Sequence, residues 1–280
     1  MGLTEFREHD PFAPIVYSYP GVTLLHEERS PFQAISVLEH PRFGKILTLD
    51  GVVQLTEWDE FFYHEMLVHP AMHAHPDPKE VLIIGGGDGG SLREALKHSS
   101  VERVTMAEID ERVVEVSKRF FPTLNVGFSH PKANVVHTDG VKLVEEAAPT
   151  YDIIIIDSTD PVGPAEGLFA SSFYQAAYGA LKPGGILVAQ TESLLFHSSI
   201  VQDVQQRLRD IFPIVDCYTQ ALATYAGNWW TFSIASKSHD PRRPQAGKRI
   251  KARYYSAQVH RKAFLTRALY QRLLNGTLGW

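Results

Sequence analysis

Strand-like apolar runs alternate with helical patterns over most of this 280-residue chain, and this alternation most constrains how it can fold. The apolar runs lie at residues 81–84, 103–109, 134–137, 151–156 and 185–189. Alternation of this kind is typical of parallel strands joined by helical crossovers, so the pattern predicts a doubly wound α/β sheet of Rossmann-like type. We assign residues 76–280 to this domain.

The first part of the chain has an antiparallel pattern instead. Between residues 21 and 54, short stretches rich in Val, Ile, Leu and Phe alternate with Pro, Gly and charged residues, which predicts a small antiparallel sheet. Residues 58–73 predict a helix that Pro70 bends or ends. Residues 75–78 predict a linker, so residues 1–75 form an N-terminal β-sheet domain with a following helix. Residues 256–274 predict a last helix.

Charge and cysteine content exclude several classes of protein. A formal net charge of -5 gives no general attraction to nucleic acid and is compatible with cationic substrates. Cys217 is the only cysteine, which excludes an internal disulfide framework and predicts a free thiol in the core. Residues 1–14 lack an apolar signal core, and no apolar run approaches membrane-spanning length. We therefore expect a cytoplasmic protein that does not bind membranes.

A glycine-rich loop, GGGDGG at residues 85–90, follows the first predicted strand of the larger domain and precedes a helix. Glycine allows the tight turn and lets the backbone approach a ligand closely. A G-x-G-x-x-G spacing suggests a dinucleotide whose pyrophosphate lies at the helix N-terminus. Asp88 would repel that pyrophosphate, so the loop favours a nucleoside whose tail carries a positive charge.

Acidic residues follow four of the predicted strands. They are Asp88, Glu108, Asp110, Asp139, Asp157 and Asp160. Because parallel strands end at one edge of the sheet, we expect most of these carboxylates to converge on one cleft, where a ligand with several donors would relieve their repulsion. We interpret Asp110 as a helix cap.

Two of these acidic residues suit a nucleoside. Glu108 lies eighteen residues after Gly90, close to the spacing at which an acidic residue binds ribose hydroxyls. Asp139 is a weaker candidate for binding the exocyclic amine of adenine. The turn KPGG at residues 182–185 is common in methyltransferase-type folds, which favours an S-adenosyl compound.

Three motifs in order resemble one protein family. They are DGVVQLTEWDEFFYHEM at residues 50–66, GGGDGG at 85–90 and DSTDPVGPA at 157–165. Together they resemble the spermidine synthase family of aminopropyltransferases, over about residues 21–237 of the chain. The stretch RYYS at residues 253–256 and the sequence after it resemble the bacterial members.

This resemblance implies transfer of the aminopropyl group of decarboxylated S-adenosylmethionine to putrescine, giving spermidine and 5'-methylthioadenosine. The donor is a co-substrate, so no cofactor is expected. Asp88 suits this donor, because ordinary S-adenosylmethionine carries a carboxylate that Asp88 would oppose, whereas the decarboxylated form presents only an ammonium. Putrescine, cadaverine, agmatine and longer triamines all stay open as acceptors.

The resemblance also implies roles for single residues. Asp157 would orient the attacking amine and accept its proton, because an alkylamine has a pKa of about 10.4, and Tyr63 would lie close to the attacking nitrogen. Residues implied to face the amine are His64, Asp88, Ser158, Thr159, Asp160, Gln190, Glu192 and Tyr225. Residues implied to contact the nucleoside are Gln33, Gly85, Gly87, Glu108, Asp139, Gly140 and Pro164. Without the resemblance, we would interpret Gln33 as an exposed strand residue and Tyr63 as a core aromatic.

Other signals receive plainer interpretations. His69 and His73 have the spacing of helical zinc ligands but lack a third ligand, so we expect surface or linker histidines and no metal. The basic residues between 242 and 253 predict a solvated segment rather than an RNA site. Trp229 and Trp230 predict either an aromatic wall of the acceptor site or ordinary core packing.

Two alternative functions stay open at this point. A methyltransferase that uses ordinary S-adenosylmethionine would share the fold and most nucleoside contacts. A non-catalytic polyamine-binding protein would share the acidic cleft. The resemblance also implies a homodimer or homotetramer, since the N-terminal sheet has edges that pairing would cover.

Overall fold

The structure, a computed structural model, describes residues 4–247 and 249–279. Its N-terminal part begins with a hairpin of β1 (Glu5–His9) and β2 (Val16–Pro20). An antiparallel four-stranded sheet follows, formed in order by β3 (Thr23–Arg29), β4 (Ala34–His40), β5 (Gly44–Leu49) and β6 (Val52–Thr56). The predicted antiparallel sheet is confirmed, whereas the hairpin was not predicted.

The large sheet has seven strands in the order β12-β13-β11-β10-β7-β8-β9. Its five parallel strands are β7 (Glu80–Gly85), β8 (Arg103–Ala107), β9 (Ala133–Val136), β10 (Tyr151–Asp157) and β11 (Leu181–Ser193). All five match predicted runs. Two unpredicted strands, β12 (Ile214–Ala221) and β13 (Trp229–Ser236), add an antiparallel edge, so the sheet is mixed.

Helices cover both faces of this sheet, as the Rossmann-like class requires. They are α1 (Glu60–Ala74), α2 (Gly90–Leu96), α3 (Glu111–Phe120), α4 (Gly140–Glu146), α5 (Ser171–Ala180), α6 (Ser198–Arg209), α7 (Ala257–Ala263) and α8 (Arg267–Leu274), with short 3-10 helices at Asn125–Gly127 and Gly163–Phe169. The helix α1 packs against α2, β10 and β11 of the larger domain. The division of the chain at residue 75 stays a prediction.

The N-terminal sheet covers the larger domain through α3. Ile35, Val37 and Leu47 from the small sheet share an apolar cluster with Val113 and Val116 of α3. Asp110 begins α3 by accepting a hydrogen bond from the backbone N–H of Arg112 at 3.0 Å, so its predicted role as a helix cap is confirmed. The small sheet therefore forms a wall beside the carboxyl end of β8.

The chain order places a crevice between β7 and β10. After β7 the chain builds β8 and β9 on one side, then returns to form β10 and β11 on the other. Gly85 and Asp157, at the carboxyl ends of these two neighbouring strands, are paired in register. Ligands of doubly wound sheets bind at such a switch point, outside the carboxyl ends of the strands.

The histidines of α1 correct one expectation. His69 and His73 are buried, not on the surface or in a linker, because α1 lies between the large sheet and the C-terminal segment. The Nε2 atom of His69 lies 3.1 Å from the carboxylate of Glu94, and its Nδ1 atom lies 3.1 Å from Nε2 of His98. Both ring nitrogens of His69 therefore lie close to polar groups inside the protein.

The C-terminal segment also differs from prediction. The single predicted helix over residues 256–274 is two helices, because the chain is extended at Phe264 and Leu265. There the N–H of Leu265 donates to the carbonyl of Cys217 at 3.0 Å, and both apolar side chains are buried. Thr266 then caps α8. Cys217 itself is a buried free thiol, as predicted.

Most of the predicted basic segment lies at the surface. Arg243, Arg249, Lys251 and Arg253 are exposed, and Lys248 lies outside the described residues. Arg242 differs, because its guanidinium pairs with both carboxylate oxygens of Asp216. Within residues 4–247 and 249–279, no helix is long and apolar enough to cross a membrane.

Candidate active site

A cleft of about 1370 Å³, counting its open mouth, lies at the switch point between β7 and β10. Side chains from the ends of β7, β8, β10 and β11 form its floor, and the N-terminal hairpin and small sheet form one wall. All the predicted site residues line this cleft except His64. The convergence of carboxylates expected from the strand ends is therefore present in the structure.

The glycine loop is needed because β7 and β10 approach closely at their ends. Gly85 has φ +79°, and a Cβ atom there would lie 2.2 Å from the carbonyl oxygen of Asp157. A Cβ atom on Gly87 would lie 2.9 Å from the carboxylate of Glu108. Any larger residue at either position would push the loop away from the acidic residues that face it.

One end of the cleft is suited to a nucleoside. Each carboxylate oxygen of Glu108 accepts one backbone N–H, from Gly87 at 3.1 Å and Asp110 at 2.9 Å, which leaves lone pairs for ribose hydroxyls. Burial raises the pKa of Glu108 to about 7. Apolar groups that can pack against a planar base surround this end, and they include Leu47, Leu49, Ile84, Ala107, Val113, Ala165 and Leu168.

Two other predicted nucleoside contacts are held in place by α3 and α4. The side-chain amide of Gln33 donates to Asp110 at 2.9 Å, so Gln33 is tied to the start of α3. Asp139 accepts the N–H of Val141 at 2.9 Å and caps α4, and its other carboxylate oxygen is available to a ligand. Asp139 can therefore cap α4 and face a ligand from the same position.

Asp157 and Tyr63 form the centre of the cleft. The hydroxyl of Tyr63 donates to Oδ1 of Asp157 at 2.7 Å, and Oδ2 of Asp157 is buried without a hydrogen-bond partner. Burial and the charge of Asp88 raise the pKa of Asp157, whereas His64 outweighs burial at Asp88 and lowers the pKa of Asp88. Two neighbouring carboxyl groups with pKa values pushed apart are typical of acid–base sites.

His64 lies one layer behind Asp88 and does not line the cleft. Its Nδ1 atom is 2.7 Å from Glu60 and its Nε2 atom is 3.2 Å from Asp88. Burial alone would lower the pKa of His64, but these two carboxylates raise it well above its usual value. Arg93 holds Glu60 from the other side at 2.8 Å.

This pairing bears on metal binding. His64, Asp88 and Asp157 lie close enough together to be considered as ligands of one ion. A histidine that donates from both ring nitrogens has no lone pair for a metal, because a metal binds neutral imidazole. The geometry therefore favours His64 as a support that orients Asp88.

The far end of the cleft contains acidic residues that sequence reasoning missed. Glu8 and Asp10 come from the hairpin, and they lie with Asp160, Glu192 and His197. Burial and the adjacent Glu192 raise the pKa of Asp160 well above its ordinary value, and burial raises the pKa of Glu192 to about 7. The only available signal was the acidic composition of residues 5–10 in a stretch with strand-like spacing.

Aromatic side chains line the path between the two ends. Tyr225 packs edge-on against Tyr63 and Trp230, with ring centroids at 5.5 and 4.7 Å. Trp230 lines the cleft, and its buried Nε1 has no hydrogen-bond partner. Trp229 instead packs against an apolar cluster that includes Leu194 and Val201. Trp230 therefore belongs to an aromatic wall of the cleft, whereas Trp229 takes part in ordinary core packing.

The buried carboxyl groups predict how stability depends on pH. The pKa values of Glu8, Glu108 and Glu192 are raised to about 7, against about 4.3 in an unfolded chain. Between these values the folded state binds more protons, so stability present below about pH 4 is lost as pH rises through about 7. We expect the Tm of the ligand-free protein, measured by calorimetry, to fall by about 5 °C between pH 6 and pH 8.

The control is Glu192→Gln, which removes one of the three carboxyl groups whose pKa is raised to about 7. Between pH 6 and pH 8, the Tm of this variant should fall by about a third less than the Tm of the wild type. A Tm that stays level or rises from pH 6 to pH 8 would contradict the assignment of raised pKa values.

Comparisons with known proteins agree with this geometry. Residues 60–243 match the family model of the spermine/spermidine synthase domain, and residues 6–57 match that of the spermidine synthase tetramerisation domain. Polyamine aminopropyltransferase 1 of Aquifex aeolicus is 52% identical over 271 residues, which cover 97% of each chain. The polyamine aminopropyltransferase of a Hydrogenobaculum species is 50% identical over 271 residues, again 97% of each chain.

Solved structures give the same result. A spermidine synthase in complex with the transition state analogue AdoDATO superposes with a TM-score of 0.90 at 36% identity, covering 97% of this chain and 94% of that one. The spermidine synthase of Thermotoga maritima superposes with a TM-score of 0.88 at 34% identity, with the same coverage. From the matched domain, the near full-length relatives and the superposed structures, the chain belongs to the spermine/spermidine synthase family of aminopropyltransferases.

Proposed function

We propose that this enzyme transfers the aminopropyl group of decarboxylated S-adenosylmethionine to putrescine, giving spermidine and 5'-methylthioadenosine. One observation carries the proposal. Asp157 lines a cleft with a nucleoside end and an acidic end, accepts from the Tyr63 hydroxyl at 2.7 Å, and has a second oxygen, Oδ2, that is buried without a hydrogen-bond partner in the protein. An amine whose nitrogen attacks between those two ends would donate to that oxygen.

The chemistry requires little beyond alignment and one proton acceptor. The amine lone pair attacks the aminopropyl carbon bonded to the sulfonium, the C–S bond breaks, and its electrons neutralise the sulfur as a thioether. The attacking nitrogen loses one proton, which Asp157 accepts. A raised pKa makes the Asp157 carboxylate a stronger base than an ordinary aspartate, which suits this role.

Asp88 supports the choice of donor. Its Oδ1 accepts the N–H of Gly90 at 2.6 Å and lies 3.2 Å from His64, so the carboxylate is fixed and ionised next to Asp157. The donor ammonium would pair with it, while Glu108 would bind the ribose and Gln33, Asp139, Gly140 and Pro164 would bound the thioadenosine. The co-substrate supplies the transferred group, and this proposal requires no separate cofactor.

The far end would hold the acceptor. Asp160 and Glu192 face a distal ammonium, and the side-chain amide of Gln190 ties the 158–159 backbone to β11 at 3.1 Å, which fixes the loop that carries Ser158, Thr159 and Asp160. Tyr63, Tyr225 and Trp230 provide aromatic faces for the methylene chain. Together these groups suit an aliphatic amine with two positive ends.

Two alternatives are less well supported. Ordinary S-adenosylmethionine would bring its carboxylate close to Asp88, where both would be ionised. A polyamine-binding protein without catalysis would have no use for a nucleoside end containing Glu108 and the glycine loop. We also propose that the protein forms a homodimer or homotetramer, which light scattering measures, because its N-terminal residues match a tetramerisation domain.

The test is a panel assay on purified protein. Decarboxylated S-adenosylmethionine would be incubated with putrescine, cadaverine, agmatine and spermidine, and products would be identified by mass. We expect methylthioadenosine and spermidine in equal amounts from putrescine, with the highest kcat/KM of the panel. A methylated product from ordinary S-adenosylmethionine, with no methylthioadenosine from the decarboxylated donor, would overturn the proposal.

A further inference from the structure

One side chain at the far end of the cleft is unexplained by the transfer reaction. Among the described residues that line the cleft, His197 is the only one of the types histidine, lysine or arginine. The same lining contains many carboxyl groups, those of Glu8, Asp10, Asp88, Glu108, Asp139, Asp157, Asp160 and Glu192. A lone basic side chain in a cleft for cationic ligands needs a reason, because it competes with the ligand for the same carboxylates.

His197 is held between two of these carboxylates. Its Nε2 atom lies 3.1 Å from both oxygens of Asp10, and its Nδ1 atom lies 3.0 Å from Oε2 of Glu192. Both ring nitrogens lie at carboxylate oxygens, so the ring occupies the position that an ammonium group of a ligand would otherwise take. Phe12 packs edge-on against the ring at 5.3 Å and helps fix its orientation.

The carboxylates of Asp10 and Glu192 differ in the hydrogen bonds that they already accept from the protein. Oδ1 of Asp10 also accepts the backbone N–H groups of Phe12 and Ala13, at 2.9 and 2.7 Å, whereas Oδ2 has His197 as its partner. Glu192 has one oxygen on His197, and its other oxygen, Oε1, is buried without a hydrogen-bond partner. Glu192 lines the cleft beside Asp160, so this oxygen can accept from one distal ammonium.

The backbone at Glu192 points to the same conclusion. Glu192 has φ +75°, a conformation that a residue with a side chain adopts only when its surroundings impose it. The carboxylate of this residue contacts His197, and Glu192 lines the cleft. Glu192 therefore divides its two oxygens between an internal partner and the ligand.

We propose that His197 sets the length of the acceptor, by occupying with its own imidazole the subsite where a third nitrogen of a longer amine would bind Asp10. This inference rests on the proposed aminopropyl transfer. A diamine needs only Asp157 at one end and Asp160 with Glu192 Oε1 at the other. A triamine such as spermidine extends further and meets the ring instead of a carboxylate.

The test compares acceptors in His197→Ala, with spermidine and putrescine as the probes and the decarboxylated donor present. We expect the ratio of kcat/KM for spermidine to kcat/KM for putrescine to rise by about tenfold or more, because a hydrogen bond to a charged group contributes on this scale. The double variant His197→Ala with Asp10→Asn should lose most of that rise. The asparagine still accepts from Phe12 and Ala13 but no longer offers a charge.

A matched control separates this effect from damage to the fold. His260 is equally buried and bonded, to the Tyr255 hydroxyl and the Pro241 carbonyl at 2.7 Å each, but lies outside the cleft lining. His260→Ala should leave the acceptor ratio unchanged. If His197→Ala does not fold, His197→Gln keeps a side-chain donor while removing the ring, and a smaller rise in the ratio is expected.

The outcomes distinguish the two proposals. If a folded His197 variant keeps the wild-type ratio of kcat/KM for spermidine to putrescine, the role of His197 is overturned. Formation of spermidine from putrescine in the same assay would leave the proposed function intact. If the wild-type enzyme makes no spermidine, the proposed function fails. The donor is then not consumed, so calorimetric affinities for the two amines in its presence still decide whether His197 limits acceptor length.

Discussion

Replacing Asp157 with asparagine is expected to lower kcat about a thousandfold while affinity for methylthioadenosine stays within about threefold of the wild type. The asparagine Oδ1 can still accept from the Tyr63 hydroxyl, so the local geometry is preserved and only proton acceptance is lost. The nucleoside end is built from Glu108 and the glycine loop, which this change does not touch. Rapid-quench turnover and calorimetry of methylthioadenosine binding measure the two quantities.

The matched control for this variant lies on the same strand. Asp152, at the other end of β10, accepts the backbone N–H groups of Lys79 and Glu80 and pairs with Lys182 at 3.0 Å. Asp152→Asn should lower Tm but change kcat by less than about twofold. A fall in kcat as large as that of Asp157→Asn would mean that the strand position, rather than the carboxylate in the cleft, limits turnover.

The pH dependence of activity is a second test of the role of Asp157. Only the ionised Asp157 accepts a proton, and burial with the charge of Asp88 raises its pKa. Activity should therefore fall on the acid side at a higher pH than an ordinary aspartate would give. The residual activity of Asp157→Asn should not show this fall at low pH. If the fall is retained, a group other than Asp157 causes it.

The parallel part of the fold could be predicted because each strand is a short apolar run buried on both faces. In β10, YDIIIID, every residue is buried, and such runs are characteristic of parallel strands covered by helices. The site followed from this, since topology alone brings the acidic strand ends to one edge. The antiparallel strand β13, between β12 and β11, was harder to predict because it buries polar residues, with Thr231 bonded to Thr191 at 2.9 Å.

The N-terminal hairpin escaped prediction for a related reason. In β1 the single fully buried residue is Glu8, and in β2 it is Tyr19, so the usual alternation of apolar and polar residues is absent. Glu8 is buried because it accepts the backbone N–H of Val53 at 2.8 Å, a partner far along the chain. The position of the hairpin at the cleft therefore depends on contacts that form only in the folded protein.

His64 illustrates what a motif match leaves undetermined. Tyr63 and His64 are adjacent on α1, and adjacent helical residues point about 100° apart. Tyr63 consequently reaches Asp157 in the cleft, whereas His64 reaches Asp88 from behind. The motif identifies both residues as belonging to the site, but only the helix orientation separates the residue that faces a ligand from the one that supports a neighbour.

Asp88→Asn is expected to weaken binding of decarboxylated S-adenosylmethionine by about 30-fold or more, and binding of methylthioadenosine by less than about threefold. The two ligands share the nucleoside, but only the donor carries the ammonium that Asp88 would hold. The asparagine can keep the hydrogen bond from Gly90, so the loop should retain its conformation. Affinity for ordinary S-adenosylmethionine should change least or rise, because its carboxylate no longer meets a like charge.

A matched control for Asp88→Asn is Asp110→Asn, next to the same pocket but outside the cleft lining. The asparagine still caps α3 but gives up the oxygen that accepts from Gln33, so any loss of affinity should be small and equal for the donor and methylthioadenosine, which share the nucleoside. Equal losses for the donor and methylthioadenosine in Asp88→Asn would mean that Asp88 acts by shaping the loop. A loss confined to the donor would mean that the Asp88 carboxylate itself binds the ammonium. The buried His64 behind Asp88 keeps that carboxylate ionised. This single charge would then make the glycine loop select an ammonium, whereas other glycine loops at helix N-termini select a phosphate.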